Sequence, residues 1–154
     1  MAPSPDDPAT FLPLVIALAT TFGTIVIHAL AVIAVVHFIR YEQKFHRAGV
    51  RFWRDVAIVS GVTFLALVAH LVEIAAWAVV FVVCGEFSGL AEAFYNSAVN
   101  YTSLGLGDAV MSGAWRLLAP LETADGMLMF GVSTAMIFAV CQRLVQTRLH
   151  DSEA

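Results

Sequence analysis

The residues best placed to do chemistry form one run, Thr102-Ser103-Leu104-Gly105-Leu106-Gly107-Asp108. What it offers is main-chain oxygen. Successive carbonyls turn toward one side of an extended chain only where backbone handedness alternates, and glycine enters the φ > 0 regions without a steric penalty. Gly105 and Gly107 stand one residue apart and supply two such positions. Carbonyls in a row can replace the water around a dehydrated monovalent cation. Gly-x-Gly alone recurs in many turns, so its neighbours carry the argument. Here Gly-x-Gly-Asp follows a short amphipathic segment and lies between two segments long enough to cross a membrane. Non-helical backbone at membrane depth survives only where it lines water or is buried in protein.

A second group lies inside the apolar segments. His70 and Glu73 are i and i+3 and share a helix face. His28 falls within about 6 Å of His70 in depth at 1.5 Å per residue. Ionisable residues inside a membrane are functional candidates. Two readings fit: an interhelical hydrogen bond locking the first helix to the second, or a pH-sensitive gate. Glu122 and Asp125 pose a similar choice between an acidic ring around a shared axis and a structural contact, and the structural contact is preferred.

The positioning elements follow from hydropathy. Only 13% of the 154 residues are charged and 60% are hydrophobic, and the mean hydropathy is +0.83. Soluble domains carry about 25% charged residues, so most of this chain faces lipid or other helices. Phe11 to Phe38 has no formal charge, and Val56 to Val83 has only Glu73. A third segment is uncharged from Gly126 to Val140 and extends from about Trp115 to Val145. Each meets the roughly 20 residues a span needs. Acidic Asp6 and Asp7 precede the first segment, with no cleavage site after it, which reads as a retained helix and not a signal peptide. Gly89 to Thr102 is too short to span and suits a re-entrant helix whose C-terminal end, partly negative, favours a cation.

Arg40, Lys44, Arg47, Arg51 and Arg54 all lie between the first two segments. The positive-inside rule makes that loop cytoplasmic. The N-terminus and the Gly-x-Gly-Asp loop are then outside and the C-terminus inside. The expected organisation is an extracellular tail at 1–10, an additional transmembrane helix at 11–39, and a basic cytoplasmic interfacial segment at 40–55. An outer helix at 56–84, a loop at 85–114, an inner helix at 115–146 and a cytoplasmic tail at 147–154 complete it. Within 40–55, Tyr41, Phe45, Ala48 and Phe52, with Trp53 beside them, form the apolar face of a short helix at the membrane surface. Cys84 and Cys141 fall near opposite ends of different spans and should not pair.

From Val56 to Gln146 the chain resembles the two-helix, one-pore-loop tetrameric potassium channels and their bacterial relatives. The order is outer helix, pore helix (about 89–102), selectivity filter (103–108) and inner helix. Trp115-Arg116 after the filter and Leu121-Glu122 followed by Gly126 fit the same pattern. The resemblance implies K+ (or Na+) held by main-chain oxygens of Ser103, Leu104, Gly105, Leu106 and Gly107, with Thr102, Asp108 and Tyr95 supporting them. It implies a gating hinge at Gly126 or Gly131. Met127, Phe130, Thr134 and Phe138 form a helical stripe suited to core packing or to a cavity, with Phe138 as a hydrophobic constriction. One loop cannot enclose an ion, so the resemblance also implies a homotetramer. The sequence departs from the family at Ser103, where the family has Thr, and at Leu106, where it has Tyr. It also has Val99 where some relatives place a Glu that pairs with the Asp after the filter, which makes Tyr95 the partner expected for Asp108.

The fold expected is an all-α membrane protein with three transmembrane helices, a re-entrant pore helix and a filter per subunit. The function expected is passive potassium conduction across a prokaryotic inner membrane. A weakly selective cation channel is the alternative, and a non-conducting scaffold or accessory subunit is a second. The net charge of −4 and the lack of a basic patch exclude a nucleic-acid partner. No voltage-sensor arginines, phosphate loop, metal-ligand cluster or nucleophile–base pair is visible, so neither an enzyme nor a cofactor is expected. The nine residues after Val145 leave no room for a soluble gating domain. Lipid and further copies of the chain are the expected partners.

Overall fold

The computed structural model describes residues 8–44, 51–105 and 111–153. Four helices account for nearly all of them: α1 (Pro8–Lys44), α2 (Arg51–Val83), α3 (Leu90–Tyr101) and α4 (Leu118–Glu153). Three hold stretches long and apolar enough to cross a membrane, Phe11–Tyr41, Phe52–Val83 and Leu118–Leu149. The chain is therefore a multi-pass membrane protein. At 1.5 Å per residue each of these helices exceeds the roughly 30 Å hydrocarbon layer, so their ends project beyond it.

α2 is the central element, in contact with α1, α3 and α4. α1 packs on α2 and α4 and makes no contact with α3 among the described residues. Two apolar clusters hold the bundle. One joins Trp77 and Phe81 of α2 to Tyr101, Leu118 and Met129. The other joins Val35, Ile58 and Val62, with Phe38 packed against them. Gly61 makes the second possible, because a Cβ there would stand 2.7 Å from the Phe38 ring.

α4 starts at Leu118, three residues after Trp115, and continues to Glu153. The segment expected to be a tail from 147 is thus helical through 153. Neither Gly nor Pro follows Gly131 to stop the helix. Arg148 also ties it back, donating from Nε and Nη2 to Asp55 Oδ2 at 2.9 and 2.5 Å. This pair is exposed, and exposed pairs contribute about 0.2–1 kcal/mol. Asp55→Asn should therefore lower the melting temperature by no more than a few degrees in low salt and by nothing measurable in 1 M salt. Tyr41 belongs to α1, and Phe52 and Trp53 to α2. Phe45 and Ala48 of the expected interfacial helix lie outside the described residues. Both cysteines are free thiols.

Candidate functional site

α3 has 12 residues, about 18 Å of helix at 1.5 Å per residue. It cannot cross a bilayer. Gly89 precedes it in an extended conformation without a side-chain cap. Its buried face carries Ala93, Asn96, Ser97, Val99 and Tyr101. Ser97 anchors that face, its hydroxyl 2.8 Å from the Ile74 carbonyl and 2.5 Å from Glu122 Oε1.

The C-terminal end of α3 closes in a Schellman arrangement. The Leu104 N–H donates to Val99 O at 3.0 Å and the Ser103 N–H to Asn100 O at 2.9 Å. Ser103 is the left-handed residue of that turn, at φ 54°. A non-glycine residue there costs about 1–2 kcal/mol, so the turn holds Ser103 in a conformation its side chain resists. Thr102 Oγ1 donates to Ala98 O at 2.6 Å, and Thr123 Oγ1 of α4 to Asn100 O at 2.9 Å. Gly105 follows with φ 69°. Ser103, Leu104 and Gly105 are exposed in the single chain. Leu106, Gly107 and Asp108 lie outside the described residues. Tyr95 is exposed, at 57%. Beyond the loop, Ser112 donates from its N–H and hydroxyl to the two oxygens of Glu86, at 2.7 and 2.5 Å.

Directly behind this helix end lies a buried polar cluster drawn from all four helices. Glu73 is its centre and is fully buried. His28 Nδ1 of α1 stands 2.9 Å from Glu73 Oε1, and His70 Nδ1 stands 3.3 Å from Oε2. The Tyr101 hydroxyl, on the last residue of α3, donates to Glu73 Oε2 and lies 3.1 Å from His70 Nδ1. Ser133 Oγ of α4 lies 3.1 Å from His28 Nε2 and 3.0 Å from His70 Nε2. A second node adjoins it: Asp125 Oδ2 accepts from Thr24 at 2.8 Å and from Trp77 Nε1 at 2.9 Å. The structure thus brings His28, His70 and Glu73 together and turns Asp125 and Glu122 into the subunit.

Gly126 faces the α3 terminus. A Cβ there would stand 2.1 Å from the Tyr101 carbonyl oxygen, whereas Gly131 has open space. Met127, Thr134 and Phe138 are exposed on α4. Phe130, 39% exposed, turns its ring toward His70 and Tyr101, with centroids 4.4 and 5.6 Å away. Met127, Thr134 and Phe138 thus lie on the outward surface of α4, along with Leu128, Val132, Val145 and Leu149.

Residues 67–143, half of the chain, match the family described as ion channel. The chain belongs to the ion channel family. No curated protein and no solved structure matches it. In this ion-channel chain the matched region runs from within α2 through α3 and the glycine segment into α4, and leaves α1 outside. Sequence reasoning missed the Tyr101 hydroxyl, Ser133, Thr24, Trp77 and Ser97. Helical spacing holds a partial signal for some of them. Thr24 is one turn before His28, and Ser133 is two turns after Gly126.

Proposed function

We propose that the chain assembles as a homotetramer and conducts potassium passively through a pathway lined by main-chain oxygens of residues 103–107. The observation that carries this reading is the left-handed Gly105 just past the end of α3, in a chain of the ion channel family. A helix too short to span, with its partly negative C-terminus braced from behind by buried side chains, is suited to favour a cation at its end. The exposed Met127, Thr134 and Phe138 supply a face of α4 that four copies can turn toward a shared cavity. The loop enters from outside, with the N-terminus outside and the C-terminus cytoplasmic. Tyr95, Thr102 and Asp108 support the oxygens. Gly131, and Gly126 with it, are the hinge positions. Lipid surrounds the assembly, and bound K+ is its only ligand in the filter.

A weakly selective cation channel is the second reading. Leu106 has no phenol to brace the segment from outside, and the Ser103 hydroxyl has no methyl to pack. Reversal potentials under opposed potassium and sodium gradients separate the two readings, and equal permeabilities would remove the first. A complete lack of flux in liposomes would leave a scaffold.

Gly105→Ala tests the conformational argument. Among the described residues of the chain the new methyl meets nothing within 4 Å, so within the chain the effect is due to φ and not to a clash. The left-handed penalty of about 1–2 kcal/mol per chain is repeated in every copy around the axis. Potassium flux into liposomes should fall at least about a hundredfold, each 1.4 kcal/mol being tenfold. Gly105→Asn, which tolerates this region better, should keep more flux than Gly105→Ala. The reverse order would refute the role of φ at this position.

A further inference from the structure

The cluster of His28, His70 and Glu73 presents a pattern of charge and lone pairs that is completed by a cation. Among the described residues three carboxyl groups are buried in the bundle, Glu73, Glu122 and Asp125, and no Lys or Arg is. One oxygen each of Glu122 and Asp125 lacks a hydrogen-bond partner.

The hydrogen count points the same way. Both Nδ1 atoms face the Glu73 carboxylate and both Nε2 atoms face one hydroxyl, that of Ser133. If each neutral imidazole carries its proton on Nδ1, both Nε2 atoms are acceptors. Ser133 has one proton to give, so one of its two contacts sets lone pair against lone pair. If His28 carries its proton on Nε2, its Nδ1 lone pair faces carboxylate; if His70 does, its Nδ1 must draw the Tyr101 proton away from Glu73 Oε2. A cation between the two Nδ1 atoms and Glu73 removes the conflict. Each ring then holds its proton on Nε2, and the Ser133 oxygen accepts both.

The geometry points to a divalent transition-metal site with His28 Nδ1, His70 Nδ1 and the Glu73 carboxylate as ligands, and zinc as its natural occupant. A His₂Glu set with a fourth oxygen is a zinc ligand set, and bonds of 2.0–2.1 Å in a tetrahedron place donors about 3.3 Å apart. The ring nitrogens are 2.9 Å from Oε1 and 3.3 Å from Oε2 of that carboxylate; the Tyr101 hydroxyl, which donates to Oε2, is an outer-shell partner and leaves the fourth position to a water. The ligand atoms of the three residues all lie within 4.8 Å of one another. Ser133 acts as the outer-shell partner that fixes both ring orientations. The sequence places the three residues at one depth but shows no ligand spacing, because His28 and Glu73 are 45 residues apart on different helices. The ion clamps α1, which lies outside the family match, to α2. This site stands independently of whether the chain conducts.

The test uses the full chain purified in detergent, treated with chelator and then titrated with zinc. About one zinc per chain should remain after desalting. Cobalt in its place should show the strong visible bands of a tetrahedral centre. His28→Ala and Glu73→Gln should each lower retained zinc at least tenfold. His37→Ala should keep it, since His37 is exposed and its ring faces the Ile33 carbonyl of its own helix. If the cluster variants fail to fold, zinc retention and the cobalt spectrum of the unaltered chain decide. A folded chain that retains less than about one zinc per ten copies would overturn the site and leave a proton shared by the two imidazoles in its place. So would zinc that survives both His28→Ala and Glu73→Gln, or that is lost with His37→Ala alone.

Discussion

Gly126→Ala should cost the chain about 3 kcal/mol or more and abolish conduction, while Gly131→Ala should leave stability unchanged or raise it. A Cβ at 126 would stand 2.1 Å from the Tyr101 carbonyl oxygen, 3.0 Å from its carbon and 3.1 Å from Cγ of its ring. Added methyl groups in packed cores usually cost about 1–3 kcal/mol because a side chain can turn aside. Here the obstacle is backbone, so the α3 terminus itself must move. That terminus leads directly into Ser103, Leu104 and Gly105, so the displacement is passed on to the segment proposed to hold ions. At about 2–4 °C per kcal/mol for a chain of this size, the melting temperature should fall by roughly 6–12 °C. At Gly131 a methyl meets nothing within 4 Å, and Ala is the better helix former by about 1 kcal/mol. The pair separates two roles that the sequence leaves merged, since both glycines read as hinges. If Gly126→Ala melts with the unaltered chain, the close approach is not what position 126 is for. If Gly131→Ala alone alters opening and closing, the hinge is at 131.

What the sequence reveals here is set by periodicity and solvent. The three spans are legible because long apolar runs have few alternatives, and α3 because its run is too short to be a fourth. The extent of α4 is less legible. It continues past Val145 because nothing breaks it, and it starts later than Trp115 because the chain first makes two turns, Ser112–Trp115 and Trp115–Leu118. The face of α4 is harder still. Met127, Phe130, Thr134 and Phe138 form one helical stripe, and Glu122, Gly126, Met129 and Ser133 form another of the same period. Hydropathy does not rank them, because lipid, a neighbouring chain and a water-filled cavity all accept mixed side chains. The rotation of α4 is decided by hydrogen bonds from other helices: Ser97 to Glu122, Thr24 and Trp77 to Asp125, and Ser133 to the two imidazoles. The depth argument brought His28, His70 and Glu73 to one level. It could not bring Tyr101 there, because a residue that ends a short helix reads as apolar until its hydroxyl has a partner.

Glu73→Ala, in chelator-treated protein, should be the most damaging polar substitution in the spans. It removes the acceptor for His28 Nδ1, His70 Nδ1 and the Tyr101 hydroxyl at once. Hydrogen bonds inside membranes average about 0.6 kcal/mol and reach about 1.7, because the unfolded chain in lipid also finds partners. Three of them give about 2–5 kcal/mol, overlapping the roughly 3–5 kcal/mol that breaking a buried ion pair costs in soluble proteins. α1 should feel this most, since among the described residues it packs on α2 and α4 alone and Thr24 and His28 tie it to them. The expected readout is a melting temperature lower by about 4–20 °C and faster proteolysis near the ends of α1. Glu73→Gln keeps the volume and one acceptor oxygen and should lose about half as much. Ser133→Ala, which touches both histidines, should cost less by itself. Combined with Glu73→Ala it should fall short of the sum by at least about 0.5 kcal/mol, as residues of one network do. Strict additivity, or a Glu73→Ala protein that melts within 2 °C of the unaltered chain, would show that the four helices are held together by their apolar seams and that the buried polar cluster serves something other than their cohesion.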